Sequence, residues 1–286
     1  GIYINGYHME VADKARGIQE KLGYDVRVYY TVEGDKATAV YYEDGINNVL
    51  EIKARNIASV SQGSISYYDG NSSVKAEFNL KAPLIYNGTF ESSYTLQDLN
   101  PFEARGLDGK IKLIDNSGDG VYDTVTVTAF ETIVVEDVRK NKVYARHSHG
   151  TKVVDLTTYK ERNINIRNVT GEPLEISGIR KGHILSLCYD LGGNIKEIIA
   201  TKDTVTGVIE EVMYAGSKIS QITVSGMKLD VSGAYIIVDS AGKFASGKGV
   251  GSTAEIFFDA IGLVTLIDLE NNYTDGFKAG YLVDAG

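Results

Sequence analysis

One eight-residue pattern occurs three times in this chain and constrains the fold more than any other feature. Ile4-Asn5-Gly6-Tyr7-His8-Met9-Glu10-Val11, Val169-Thr170-Gly171-Glu172-Pro173-Leu174-Glu175-Ile176 and Val224-Ser225-Gly226-Met227-Lys228-Leu229-Asp230-Val231 share an aliphatic residue, a Gly two places on, Met or Leu, an acid, and a closing Val or Ile. A second pattern follows each. It opens at Gly23, Gly182 or Gly251 and closes 11 residues later at Gly34, Gly193 or Gly262. Between these glycines, Val26, Val28 and Tyr30, then Leu185, Leu187 and Tyr189, then Ala254, Ile256 and Phe258 hold the same offsets, the period-two spacing of a strand. Two motifs recurring in the same order mark one unit used repeatedly.

A fainter fourth copy has Tyr86-Asn87-Gly88-Thr89-Phe90 upstream and Gly109 to Gly120 downstream, around Lys110-Ile111-Lys112-Leu113-Ile114. Asn5-Gly6, Asn87-Gly88 and Ser225-Gly226 supply the positive φ of a tight hairpin turn, so the first motif reads as a hairpin. The second motif reads as a strand, a glycine turn and a returning strand: Ala37 to Tyr42, Ile195 to Ala200 or Leu263 to Leu269. Each unit is then about four short strands, suited to a small barrel or sandwich. With 19 Tyr, 31 Gly and only 3 Pro the residue choices agree, and the expected fold is all-β, built of such units in tandem.

The copies differ in what joins their motifs. In the first, Val11, Ala15, Ile18 and Leu22 recur at helical spacing before Gly23, which predicts one short helix near residues 12–22. The second has only Ser177 to Lys181, and the third carries Ser232 to Val250, rich in Gly and Ser, read as an exposed loop. Turn residues at Asn100-Pro101 and Asp203-Thr204 divide the chain into expected domains 1–102, 103–203 and 204–286. The chain opens at Gly1 without Met, as a processed form or a segment of something longer would.

A net charge of −9 repels a phosphate backbone and argues against nucleic-acid binding. No run approaches the roughly 20 apolar residues that a membrane-spanning helix needs, so no membrane insertion is expected. The single cysteine, Cys188, lies in the apolar run Ile184 to Tyr189 and reads as a buried small hydrophobe; intrachain disulfides are excluded.

Among candidate sites, Asp115-Asn116-Ser117-Gly118-Asp119-Gly120-Val121-Tyr122-Asp123 stands first. Asp115, Ser117, Asp119 and Asp123 place side-chain oxygens at positions 1, 3, 5 and 9 of a calcium-type loop, Gly120 permits the sharp turn, and the Val121 carbonyl adds a donor. The closing bidentate Glu is absent, because Thr126 occupies position 12, and a polar hairpin turn is the plainer alternative. Gly242 to Gly249 nearly matches a phosphate loop but ends in Gly249, leads into a strand and reads as a flexible loop. His147-Ser148-His149 would put two imidazoles on one face of a strand, yet no third ligand is near and a solvated turn is the default. No nucleophile or base motif stands out, so the chain reads as non-enzymatic; 38 acidic residues leave paired carboxylates open.

The run Gly109 to Val127, followed by Glu131-Thr132-Ile133-Val134-Val135, resembles segments of large clostridial surface proteins that carry S-layer homology domains, and is similar to segments in structural proteins of large bacteriophages. In order of motifs the resemblance spans residues 1–210, and its specific part is Asp115 to Val135. It implies a non-enzymatic β-module of an extracellular or cell-surface assembly, or alternatively of a virion, whose partners are neighbouring copies of itself or other surface or virion proteins. Calcium, read from the spacing of Asp115 to Asp123, is the one cofactor to consider. The runner-up is a carbohydrate-binding or carbohydrate-active protein that uses tyrosines and paired carboxylates. The tyrosine-rich stretches Val26 to Tyr30 and Ile65-Ser66-Tyr67-Tyr68 read as edges open to pairing with other chains.

Overall fold

The computed structural model describes residues 2–4, 7–70, 72–99, 102, 107–215 and 217–270. The chain is all-β and divides into two compact units, Gly1–Arg105 with Gly109–Ala129, and Gly106–Asp108 with Phe130–Gly286.

In the first unit, β1 (Ile2–Ile4), β2 (Tyr7–Val11), β3 (Val26–Glu33) and β4 (Lys36–Asp44) form a four-stranded sheet in the order β1-β2-β4-β3. β1 and β2 pair as a hairpin, Ile4 opposite Tyr7; its turn residues Asn5 and Gly6 lie outside the described residues. The helix expected near 12–22 is a 3₁₀ helix, Asp13–Glu20. Its Ala15 and Ile18 are buried, and Ala15 joins Met9 and Ala39 in a small core that Ile2, Ile4, Val28 and Tyr42 border. Next come β5 (Asn48–Lys53), β6 (Ile57–Ser61), β7 (Ser64–Asp69), β8 (Ser72–Glu77), β9 (Leu84–Tyr86), β10 (Thr89–Glu91), β11 (Asp108–Asp115) and β12 (Thr124–Arg139), whose first residues, to Ala129, complete the unit. β6, β7 and β8 make a separate meander. β5 pairs antiparallel with β11, and β9 pairs antiparallel with β10 and parallel with β12.

The meander corrects one expectation. Ile65 to Tyr68 lie in β7, which pairs with β6 on one side and β8 on the other, so they are the centre of a sheet and not an edge. Tyr suits a central strand as well as an edge, and the two flanking turns that fold the neighbours back are invisible to the strand's own residues.

In the second unit, the rest of β12 joins β13 (Lys142–Ser148), β14 (Val153–Asp155), β15 (Asn165–Asn168), β16 (Ile184–Tyr189) and β17 (Ile195–Thr201) in the order β14-β13-β12-β16-β17-β15. One face of this sheet buries Ile133, Val135, Leu185, Leu187, Ile198 and others in one apolar cluster. At roughly 1.5–3 kcal/mol per fully buried aliphatic side chain, that cluster is a main source of the unit's stability. β18 (Thr204–Ala215), β19 (Lys218–Val224), β20 (Met227–Val238), β21 (Thr253–Phe258) and β22 (Val264–Asp268) close into a barrel in the order β18-β19-β20-β22-β21. Alternation assigns its two faces. Ala254, Ile256, Val264 and Ile267 fill the interior, while Phe257 and Leu266 point out and pack on Val134 and Ile184.

The segment read as an exposed loop, Ser232 to Val250, is strand as far as Val238 and loop only beyond it. A register shift between the pairs Val231↔Val264 and Ile236↔Leu266 absorbs Ser232 to Tyr235, the start of the expected loop.

The repeat is visible in the backbone. Gly23, Gly182 and Gly251 have φ of 88°, 83° and 86°, and Gly34, Gly193 and Gly262 are also left-handed. In all three hairpins the register shifts at one place, between Tyr29 and Tyr30, Cys188 and Tyr189, or Phe257 and Phe258, leaving Val40, Lys196 or Thr265 as the extra residue on the return strand. The second and third copies also share a turn. Asp190 and Asp259 donate their N–H to the carbonyl four residues on, and their side chains accept the N–H of that same residue, Asn194 or Leu263. The fourth copy departs here, since Gly109 has φ of 145°. The turns Asn87-Gly88 and Ser225-Gly226 have positive φ at both residues, as a two-residue hairpin requires.

Candidate functional site

The Asp115–Asp123 loop is the turn between β11 and β12. Asp115 ends β11 and is buried, whereas Ser117, Asp119 and Val121 are exposed. The Asp115 carboxylate accepts the backbone N–H of Ser117 at 3.1 Å, of Gly118 at 2.6 Å and of Gly120 at 3.1 Å, with the Ser117 hydroxyl at 3.2 Å and the Asn48 amide at 3.3 Å. Burial acts to raise its pKa, but these donors outweigh it and bring it from an ordinary 3.8 down to about 2. Asp123 accepts the N–H of Asn116 and Ser117, and Asp119 that of Val121. Each carboxylate therefore holds the loop's own N–H groups. As placed, the three do not converge on one point, and among the described residues no group of three or more His, Cys, Asp or Glu is arranged to hold a metal ion. A calcium ion at this loop would need the carboxylates to turn from N–H donors toward a common centre.

The other motifs resolve into structure. His147 lies within β13, opposite Val134, rather than in a turn; the turn begins at His149, whose Nε2 lies 2.7 Å from the Ala234 carbonyl. β13 reaches Ser148 because β12 is long enough to pair it that far. Gly242 to Gly249 is a chain of tight turns in which Asp239 accepts the Phe244 N–H at 2.7 Å. Cys188 is buried beside Phe130 and Ile199, and burial pushes its thiol up to about 12, which leaves it a small hydrophobe.

Two carboxylate clusters in the second unit escaped the sequence reading. Glu131 accepts the Gly150 N–H at 3.0 Å, the Thr151 N–H, the Thr151 hydroxyl at 2.7 Å and the Tyr189 hydroxyl at 3.0 Å. Tyr189 is held up to about 12, by burial first and by the Glu131 charge as well. Four donors on one carboxylate make a clamp between β12, β16 and the turn after β13. In the barrel wall Glu255 stands opposite Asp268, both buried. Burial and then the Asp268 charge raise the Glu255 pKa. Each cluster had a signal, an acid inside an apolar strand: Phe130-Glu131-Thr132 and Ala254-Glu255-Ile256.

One surface depression of about 450 Å³ in the second unit is lined by Asn141, Thr158, Tyr159, Lys160, Glu161 and Glu175, among others. The Tyr159 hydroxyl donates to Glu175 at 2.7 Å, and Lys160 lies 3.7 Å from the same carboxylate. No helix among the described residues is long and apolar enough to cross a membrane.

No protein-family model matches the chain, and no curated protein matches it.

Proposed function

We propose that the chain is a non-enzymatic structural or interaction module of an exterior assembly, at a cell surface or in a virion, made of tandem small β-barrel or sandwich units. The observation that carries this reading is the reuse of one hairpin at three places, with the same left-handed glycine and the same bulge. Repetition of a scaffold serves spacing and contact with neighbours. The resemblance of Asp115 to Val135 to surface-protein and phage segments supports the exterior setting. The Asp115 and Glu131 carboxylates, each with four or more donors, hold loops in place, which supports a scaffold role for them. Calcium is proposed at Asp115, Ser117, Asp119, Val121 and Asp123 as a stabiliser of the turn.

Light scattering of the purified chain over a range of concentrations, with calcium and with chelator, tests this. Growth in mass with concentration is expected, and a calcium site would show as a mass or melting temperature that chelator lowers. A monomer at every concentration, unchanged by calcium, would overturn both self-assembly and the calcium proposal.

The depression around Tyr159, Glu161 and Glu175 favours a second reading, carbohydrate binding, because it joins a tyrosine to carboxylates on an open polar surface. Calorimetric titration with a panel of soluble oligosaccharides tests it, and binding that survives Tyr159→Ala would place the sugar elsewhere.

A further inference from the structure

Of the open sheet edges in the first unit, among the described residues, β3 is the longest; β5 is six residues ending in Lys53, and β10 has three residues. β1, at the opposite edge of the β3 sheet, has three residues. In the meander, the edge strand β8 carries Lys75, and β6 has a register shift between Ile57 and Ser59. Short strands, edge lysines and irregularities are the usual means of blocking further pairing. β3 is eight residues long, Val26-Arg27-Val28-Tyr29-Tyr30-Thr31-Val32-Glu33, with no Pro and no Lys, and the bulge of its hairpin lies on β4. Tyr29, Tyr30 and Val32 are 43%, 53% and 61% exposed. Among the described residues, no strand pairs with its outer side.

The free side of β3 has a defined pattern. Asp25 accepts the Gly45 N–H, so odd-numbered residues bond toward β4. β3 itself is regular, which turns the N–H and C=O of Val28, Tyr30 and Val32 outward. An antiparallel partner must therefore pair even residues with even ones.

We infer that β3 of a second copy of this chain pairs antiparallel with β3 about a two-fold axis at Tyr30. The strand is complementary to itself in that register. Arg27 faces the second copy's Glu33 at both ends, Val28 faces Val32, Tyr29 faces Thr31, and Tyr30 faces its own copy. The two charge pairs lie on one face and the valines on the other, and about six outward backbone hydrogen bonds form. Moving the register by two residues toward the strand start sets Glu33 against Asp25, like charge against like. Arg27 is free to serve, since its contact with Glu43 is a 4.0 Å pair between exposed side chains. The inference rests on the assembly reading and names one contact of that assembly.

The test uses the full chain and three variants, Tyr30→Lys, Tyr30→Cys and Arg27→Cys. Sedimentation across concentrations should show a dimer whose dissociation constant rises about tenfold or more in Tyr30→Lys, which sets two ammonium groups against each other on the axis. Under mild oxidation Tyr30→Cys should form a disulfide-linked dimer. Arg27→Cys should not, because the two copies of residue 27 would lie about 20 Å apart. The buried Cys188 does not interfere. Tyr30 is exposed, so unchanged circular dichroism is expected for Tyr30→Lys; if that variant fails to fold, the cysteine pair alone decides. A dimer indifferent to Tyr30→Lys, or crosslinked through Arg27→Cys, would overturn this contact and leave self-assembly standing. A wild-type monomer with no Tyr30→Cys crosslink would overturn it together with self-association.

Discussion

Gly23 and Gly251 open the second motif in the first and third copies and have nearly the same φ, 88° and 86°, yet substitution should cost very different amounts. In either place an alanine would sit in the left-handed region, a strain of about 1–2 kcal/mol for a residue with a Cβ. At Gly251 that is the whole cost, since an added Cβ meets nothing within 4 Å. At Gly23 the Cβ would come to 2.9 Å from Thr124 Cγ2, 3.1 Å from Ile85 Cδ1 and 3.4 Å from Ile114 Cδ1, all side-chain atoms packed under the Asp115 turn. The Asn116 amide also donates to the Gly23 carbonyl at 3.2 Å, which limits how far the backbone can withdraw. Overpacking of this kind adds about 1–3 kcal/mol, so Gly23→Ala should cost about 2–5 kcal/mol and Gly251→Ala about 1–2. Urea unfolding gives each free energy, and native-state hydrogen exchange assigns the loss to one unit or the other. Equal destabilisation by the two variants would refute the argument, because it would mean that conformation alone, and not packing, sets the cost.

Three further outcomes follow from the site geometry. Asp115 is depressed from 3.8 to about 2 in the folded chain, so its contribution is complete above its unfolded value and is lost as pH falls through about 2. Asp115→Asn should therefore flatten the acid limb of stability between about pH 4 and pH 2, and an unchanged acid profile would show that the carboxylate is not the anchor of the turn. Glu131→Ala leaves the N–H groups of Gly150 and Thr151 and the Tyr189 hydroxyl without their acceptor, at a cost of about 2–4 kcal/mol by thermal and chemical unfolding, whereas Glu131→Gln, which keeps one acceptor oxygen, should cost less; a cost near zero for Glu131→Ala would mean that the clamp contributes nothing. Cys188 should resist thiol reagents at neutral pH until the chain unfolds, and rapid labelling of native protein would contradict its burial.

The strands and turns of the repeats were legible because their causes are local. A glycine at a fixed place permits a left-handed turn, and period-two alternation commits the following residues to a strand, so the hairpins Val26–Asp44, Ile184–Thr201 and Thr253–Asp268 could be read from Gly23, Gly182 and Gly251 onward. The apolar spacing of Ala15 and Ile18 likewise announced a helical turn, though not its 3₁₀ form, since both helix types bury residues three apart. Misreadings arose where a neighbour decided. Ile65 to Tyr68 became central because β6 and β8 fold onto both sides, and Ser232 to Val238 became strand because β22 lies beside it. The Glu131 clamp joins residues 20 and 58 positions apart, a separation that no local pattern can announce.

The sequence by itself determined one hairpin, with its opening and closing glycines, its alternation and its threefold use along the chain. The other hairpin motif forms paired strands at Ile4–Val11 and Val224–Val231 but only an isolated bridge, Arg167 to Pro173, in the second copy. Only the tertiary structure decided what each copy became. The first copy lies in an open four-stranded sheet and the third in a closed barrel, with the same bulge in each. Backbone conformation at a turn is set by the few residues that form it, whereas closure or exposure of an edge depends on which distant strand arrives to pair with it.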